Sequence, residues 1–281
     1  MMFRILRFEL KRAFSMTFLF ALFAGCVISL SDVFLNVIPQ SYIQQPLDGM
    51  NMMDWLVSTG QYPHSLYNQW IGGQARTLSA TLFFLMIPLL AALPFTESYC
   101  FDRMGYIKNI VSRAENKQYL LAKYVAVFIS AGTVACIPLA VNFVATAMVV
   151  PALVPYASTH AFSIFAYCTF DKLFYSHPMV YEFIYLVLNF VLVGLIAEVG
   201  LVARLFTKNR YVVMLSPFIL YLVIYFVSDI LGAMDWSVFQ MLRPVQIVPL
   251  DIVKVILIVI ILFLATFIPY YITGEKDYGL E

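Results

Sequence analysis

Residues 255–265 read Val-Ile-Leu-Ile-Val-Ile-Ile-Leu-Phe-Leu-Ala, eleven apolar side chains in succession. Wound as a helix, such a run is apolar on every face and has no side to offer water. A strand of a transmembrane barrel alternates lipid-facing and lumen-facing residues over about ten positions, and this run does not alternate. Lipid satisfies no backbone hydrogen bond, whereas a helix closes its own. The run therefore predicts a membrane-crossing helix. With its flanks it extends over 252–272, about the 20 residues that a bilayer core requires.

The same reading applies near 14–37, 78–95, 120–150, 181–203 and 211–231. The expected fold is all-α: a polytopic membrane protein with six transmembrane helices, forming one domain over residues 1–281. Composition agrees. Of the 281 residues 62% are hydrophobic and 12% charged, and the mean hydropathy is +0.86. Soluble chains carry about 45–50% apolar and about 25% charged residues, and a globule this apolar would expose large sticky patches. Disorder, a disulfide-built scaffold and a nucleic-acid module are excluded on the same ground.

The formal net charge is only +1, but its distribution orients the chain. With the N-terminus inside, the cytoplasmic side holds Arg4, Arg7, Lys11, Arg12, the five basic residues of 103–123, Arg204, Lys208, Arg210 and Lys276. The outer side holds only Arg76, Lys172, Arg243 and Lys254, and the 16 acids divide equally, so the faces carry +5 and −4. A basic excess belongs inside, which places both termini in the cytoplasm of a multi-pass cell-membrane protein, expected to be bacterial. Residues 3–14 set Phe3, Leu6, Leu10 and Phe14 at helical spacing among Arg4, Arg7, Lys11 and Arg12, the pattern of an amphipathic helix lying on the inner leaflet. Phe23-Ala24-Gly25-Cys26 resembles a lipoprotein cleavage site, but apolar sequence continues through Val27–Ile38 and the segment reads as the first span.

The outer loops are aromatic. Trp55, Trp70 and Trp236 all fall there, as residues seated at a lipid–water interface would, and Phe162–Tyr175 is expected to lie along the outer interface. Asp235–Leu250, with Arg243, Pro244 and Pro249, is too short and broken to span and reads as a re-entrant or surface hairpin. Cys26 and Cys136 fall within spans, Cys100 inside and Cys168 outside, so no disulfide framework is expected.

Between the second and third spans, Phe101, Met104, Ile107, Val111 and Ala114 recur at spacings of 3, 3, 4 and 3, one apolar stripe on a helix. Asp102, Arg103, Lys108, Asn109, Arg113 and Glu115 occupy its other faces. Such a helix either floats its apolar side in the headgroups or docks into a groove on a cytoplasmic partner. The run Asp102-Arg103-Met104-Gly105-Tyr106-Ile107-Lys108-Asn109-Ile110-Val111-Ser112-Arg113, followed by Tyr119–Lys123, resembles the coupling region of ABC-2 type transporter permeases. Asp102, Arg103, Gly105, Lys108, Ser112, Arg113 and Lys123 match that family's loose pattern. Tyr106, where Thr is frequent, and Ala114, which lacks the frequent Pro-x-Ser-Arg context, depart from it.

The resemblance implies a non-catalytic membrane subunit whose coupling helix sits on a separate ABC ATPase, present in two copies, with a smaller contact from Arg204–Arg210. It implies a second permease copy or homologue as homo- or heterodimer, and ATP and Mg bound by the partner rather than this chain. Export is the implied direction. The Phe- and Met-rich spans suit an amphipathic or apolar cargo such as a peptide, lipid or drug, and suit lipid contact equally well. An ion-driven secondary carrier and a non-transporting sensor or immunity protein remain as alternatives.

The chain's own chemistry is sparse. No Gly-Lys pair exists to build a phosphate-binding loop; Ile71–Arg76 imitates an ABC signature loop but is expected outside. Glu198 is the deepest ionisable residue, a possible intramembrane polar site or a structural partner for a basic residue near the inner face. Asp32 and Asp229 are expected to reach the outer interface. His64, His160 and His177 share no ligand spacing, and no hydrolase motif is present. Pro88, Pro94 and Pro138 remove helix hydrogen bonds and are candidate hinges.

Overall fold

The computed structural model describes residues 2–39, 65–74, 77–96, 98, 116–156, 162, 164, 168–207, 209–246 and 248–276. Among these every regular element is helical. In chain order they are α1 (Met2–Ala13), α2 (Met16–Asp32, continued by a π-helical turn Val33–Val37), α3 (Leu66–Gln69) and α4 (Leu78–Ala92). There follow α5 (Asn116–Ala147), α6 (Asp171–Ser176), α7 (Pro178–Phe206), α8 (Arg210–Ile230), α9 (Val238–Leu242) and α10 (Ile252–Lys276).

Five helices are long and apolar enough to cross a membrane: Met16–Val37, Lys117–Ala147, Pro178–Phe206, Arg210–Ile230 and Ile252–Thr273. The expected span at 78–95 forms the shorter α4, 15 residues in length. At 1.5 Å per residue it covers about 22 Å, less than a hydrocarbon core of about 30 Å. Sequence hydropathy ran on through the turn at 93–96, which is apolar without being helical.

The bundle is organised around α5 and α7, which pack most extensively against each other. Over half of each is buried, against about a fifth of α8 and α10. Their crossing interleaves small and large residues reciprocally: Phe190 fills the space over Gly132, and Phe128 the space over Gly194. The two rings meet edge to face at 5.4 Å. Helices α1 and α2 cover the α5 side, α8 and α10 the α7 side, and α4 is wedged between α2, α5, α7 and α8.

Pro88 in the middle of α4 leaves the Phe84 carbonyl, four residues earlier, without its helix donor. The Tyr221 hydroxyl of α8 donates to that carbonyl at 2.8 Å, in a buried contact. The proline marks a tie between α4 and α8 at this point.

Several of the connecting loops pack into the bundle. Trp70 is 1% exposed and buried in the core, and Phe162, Ile164, Cys168 and Phe174 form a packed cluster with Tyr67, Tyr181, Tyr185 and Val245. These aromatics cap the bundle with protein rather than lining lipid. Of the tryptophans, Trp236 is partly exposed and Trp55 lies outside the described residues. The 235–250 segment does not span: α9 is buried throughout, as are Arg243, Val245 and Gln246. Cys26, Cys136 and Cys168 are free thiols.

Candidate functional site

The coupling-stretch residues Asp102, Arg103, Gly105, Lys108, Ser112 and Arg113 lie outside the described residues. The two segments that flank them do not, and they converge. Lys123, about two turns into α5, donates from Nζ to Glu9 Oε2 at 3.1 Å, with both side chains fully buried. Arg12 donates to Glu9 Oε1 at 3.1 Å, so one carboxylate holds two cations. The Lys123 ammonium also lies 3.8 Å from the centroid of the Phe95 ring, just past α4, and the Arg12 guanidinium 5.8 Å from the same ring. The Thr17 hydroxyl of α2 donates to the Pro94 carbonyl at 3.2 Å. The start of the chain, the exit of α4 and the entry of α5 thus meet at a single node.

Sequence reasoning placed Lys123 in the coupling pattern but did not foresee Glu9, which is 114 residues away. A carboxylate at position 9 of a basic helix reads as a surface charge. Only the helical register gives it away: with Arg4, Arg7 and Lys11 exposed on one side, Glu9 occupies the opposite face, beside Ala13.

Glu198 is fully buried, and among the described residues neither carboxylate oxygen reaches a hydrogen bond of ordinary geometry. It lies against Tyr124 and the Phe128 backbone of α5. Tyr124 reaches Thr266 of α10 at 2.8 Å; because the Thr266 hydroxyl donates to the Leu262 carbonyl, the tyrosine is the donor. Two described basic residues on these helices are engaged elsewhere: Arg204 donates to the Thr207 carbonyl at 2.8 Å, and Lys123 binds Glu9.

A second buried carboxylate, Glu182, went unnoticed in the sequence because a polar residue in the first turns of a span looks like an interface residue. Among the described residues neither of its oxygens reaches a hydrogen bond of ordinary geometry. The Trp70 side chain is beside it, and the Trp70 indole N–H is likewise unsatisfied. Around them is a polar layer supplied by one face of α7. Tyr181, Tyr185 and Asn189, at spacings of four, donate to the Pro244 carbonyl, accept from Gln246 Nε2 and donate to the Leu242 carbonyl, at 3.0, 2.8 and 2.9 Å. Gln246 Oε1 accepts from the Thr169 N–H at 2.9 Å. These bonds satisfy the Leu242 and Pro244 carbonyls and anchor the Gln246 side chain, so part of the irregular 235–250 backbone is paired inside the protein.

Arg243, 3% exposed, lies 5.3 Å from the Phe239 ring centroid and 5.8 Å from that of Phe84. Burial pulls its guanidinium below the ordinary value, and Tyr221 and Tyr225 offset part of the fall. Burial, aided by Glu182, raises the Tyr67 hydroxyl above its usual range.

The remaining acids separate. Asp32 is fully buried, receiving Asn36 Nδ2 at 2.7 Å, a correction to its expected place at the interface; Asp229 is exposed. The Ile71 N–H of the signature-like loop donates to Asn142 Oδ1 at 2.9 Å, and Asn142 in turn donates to the Ser29 carbonyl at 2.7 Å. That loop is a packing element joined to α5 and, through it, to α2. Among the described residues no three His, Cys, Asp or Glu side chains assemble into a metal-binding group. Comparison with protein-family models, with curated proteins and with solved structures returns no match to this chain.

Proposed function

We propose that this chain is the membrane-spanning subunit of an ABC transporter of the ABC-2 type. The observation that carries the reading is the node at which Phe95 and Lys123, the flanks of the coupling stretch, meet Glu9 and Arg12. Force applied to the 97–115 segment by an ATPase would enter α4 through Phe95 and α5 through Lys123, and reach α1 through Glu9. The wedge position of α4, tied to α8 through Tyr221, would carry the movement across the bundle. On this reading α4 is the sixth span, shortened because protein surrounds it, and both termini are cytoplasmic. A second copy or homologue completes the pathway, and two ATPase subunits supply ATP and Mg chemistry. The cargo is an exported amphipathic or apolar molecule.

The test is charge reversal at Arg103, Lys108 and Arg113 in proteoliposomes containing the ATPase. ATP-dependent transport should fall more than tenfold while the protein stays inserted; normal transport would remove the docking assignment.

One observation favours a second reading. Glu182 and Glu198 are buried carboxylates without hydrogen bonds on the central helix, a feature of ion-coupled carriers. Transport that persists without ATP and collapses with a protonophore would select it.

A further inference from the structure

Helix α1 presents two stripes to the outside of the bundle. Phe3, Leu6, Leu10 and Phe14 recur at spacings of 3, 4 and 4, and with Arg7 and Lys11 they line an open groove of about 630 Å³. Arg4, Arg7 and Lys11 each follow one of the apolar residues, so the basic stripe runs about 100° further round the helix. All three are exposed, in contrast to Arg12, which turns inward to Glu9. The apolar stripe is also unusually open, with Phe3 85% exposed. It does not end at the bend around Ser15. Met16, Leu19, Phe20, Phe23 and Val27 continue as exposed apolar side chains along α2, the face of that span that would meet acyl chains.

We propose that α1 is a binding site for an anionic phospholipid, with the phosphate held by Arg4, Arg7 and Lys11 and an acyl chain lying in the groove and passing down the outer face of α2. Charge and continuity both select this occupant. An exposed basic stripe asks for a negative headgroup. A groove that opens onto a lipid-facing wall asks for a chain longer than a protein side chain. Glu9 keeps the helix in register, because its bonds to Lys123 and Arg12 fix which face points out.

Native mass spectrometry of the full-length protein, without any ATPase, tests the site independently of the transport reading. Phosphatidylglycerol and phosphatidylcholine with identical chains are the probes. Phosphatidylglycerol should bind preferentially, and R4Q/R7Q/K11Q should weaken it about a hundredfold. The charge-preserving R4K/R7K/K11R should retain binding and so control for folding. F3S/L6S, with the basic residues intact, should weaken it as well, and inorganic phosphate should fail to compete. Equal binding of the two lipids, an unchanged affinity in R4Q/R7Q/K11Q or F3S/L6S, or displacement by phosphate would overturn the proposal.

Discussion

Glu9 and Glu198 are buried to the same extent and held in opposite ways. Glu9 receives Lys123 and Arg12, while Glu198 receives no hydrogen bond. A buried ion pair is not in itself a large net stabiliser, since desolvating both charges offsets most of their attraction. What it does is fix geometry: the buried pair holds α1 against α5 in one register. The Glu9 node therefore ties α1 and the exit of α4 to α5. The Glu198 carboxylate ties nothing, and its surroundings, Tyr124 and Phe128, are packed as they would be around an apolar residue. One acid is part of the framework and the other is carried by it.

Removing one partner of the node should give the largest effect. Lys123→Met leaves the buried Glu9 with Arg12 as its cation and should destabilise the protein by about 3 kcal/mol, read by denaturation in detergent. The double variant E9Q/K123M should recover at least half of that loss. A cost below about 1 kcal/mol would erase the distinction between the two carboxylates. An intermediate effect is expected at Tyr221→Phe, which strands the Phe84 carbonyl freed by Pro88 and should cost about 1–3 kcal/mol in the same assay. Glu198→Gln should be the mildest, within about 1 kcal/mol of wild type, because no hydrogen bond is lost. A larger loss would show that Glu198 supports the fold through a bond of its own.

The spans were legible in the sequence wherever apolar residues filled every face, as in 255–265, because lipid imposes that pattern locally. The end of the second span was not legible: Leu93, Pro94 and Phe95 are as apolar as a helix but form a turn, and hydropathy does not register backbone conformation. Trp70, Phe162 and Phe174 are buried where the sequence suggested an interface, because an aromatic belt and an aromatic core have the same composition, while Phe170 is exposed and Phe165 and Tyr167 lie outside the described residues. Only the hydrogen bonds of Tyr181, Tyr185, Asn189 and Gln246 reveal that this layer is closed by protein. At the Glu9 node the sequence marked Lys123 only through a family resemblance and gave no sign of the contact it makes. Glu9 was not legible, because a contact across 114 residues leaves no trace in spacing.

The central claim is that energy reaches this chain from a separate ATPase through the 97–123 region. Its most direct test is purification of the tagged full-length protein from its native membranes in mild detergent, with subunit composition and ATP hydrolysis measured together. Wild type should bring down a nucleotide-binding subunit with ATPase activity, and R103E/K108E/R113E should lose it while remaining in the membrane. A chain that emerges without an ATPase, and whose transport in vesicles continues when ATP is withdrawn, would contradict the account.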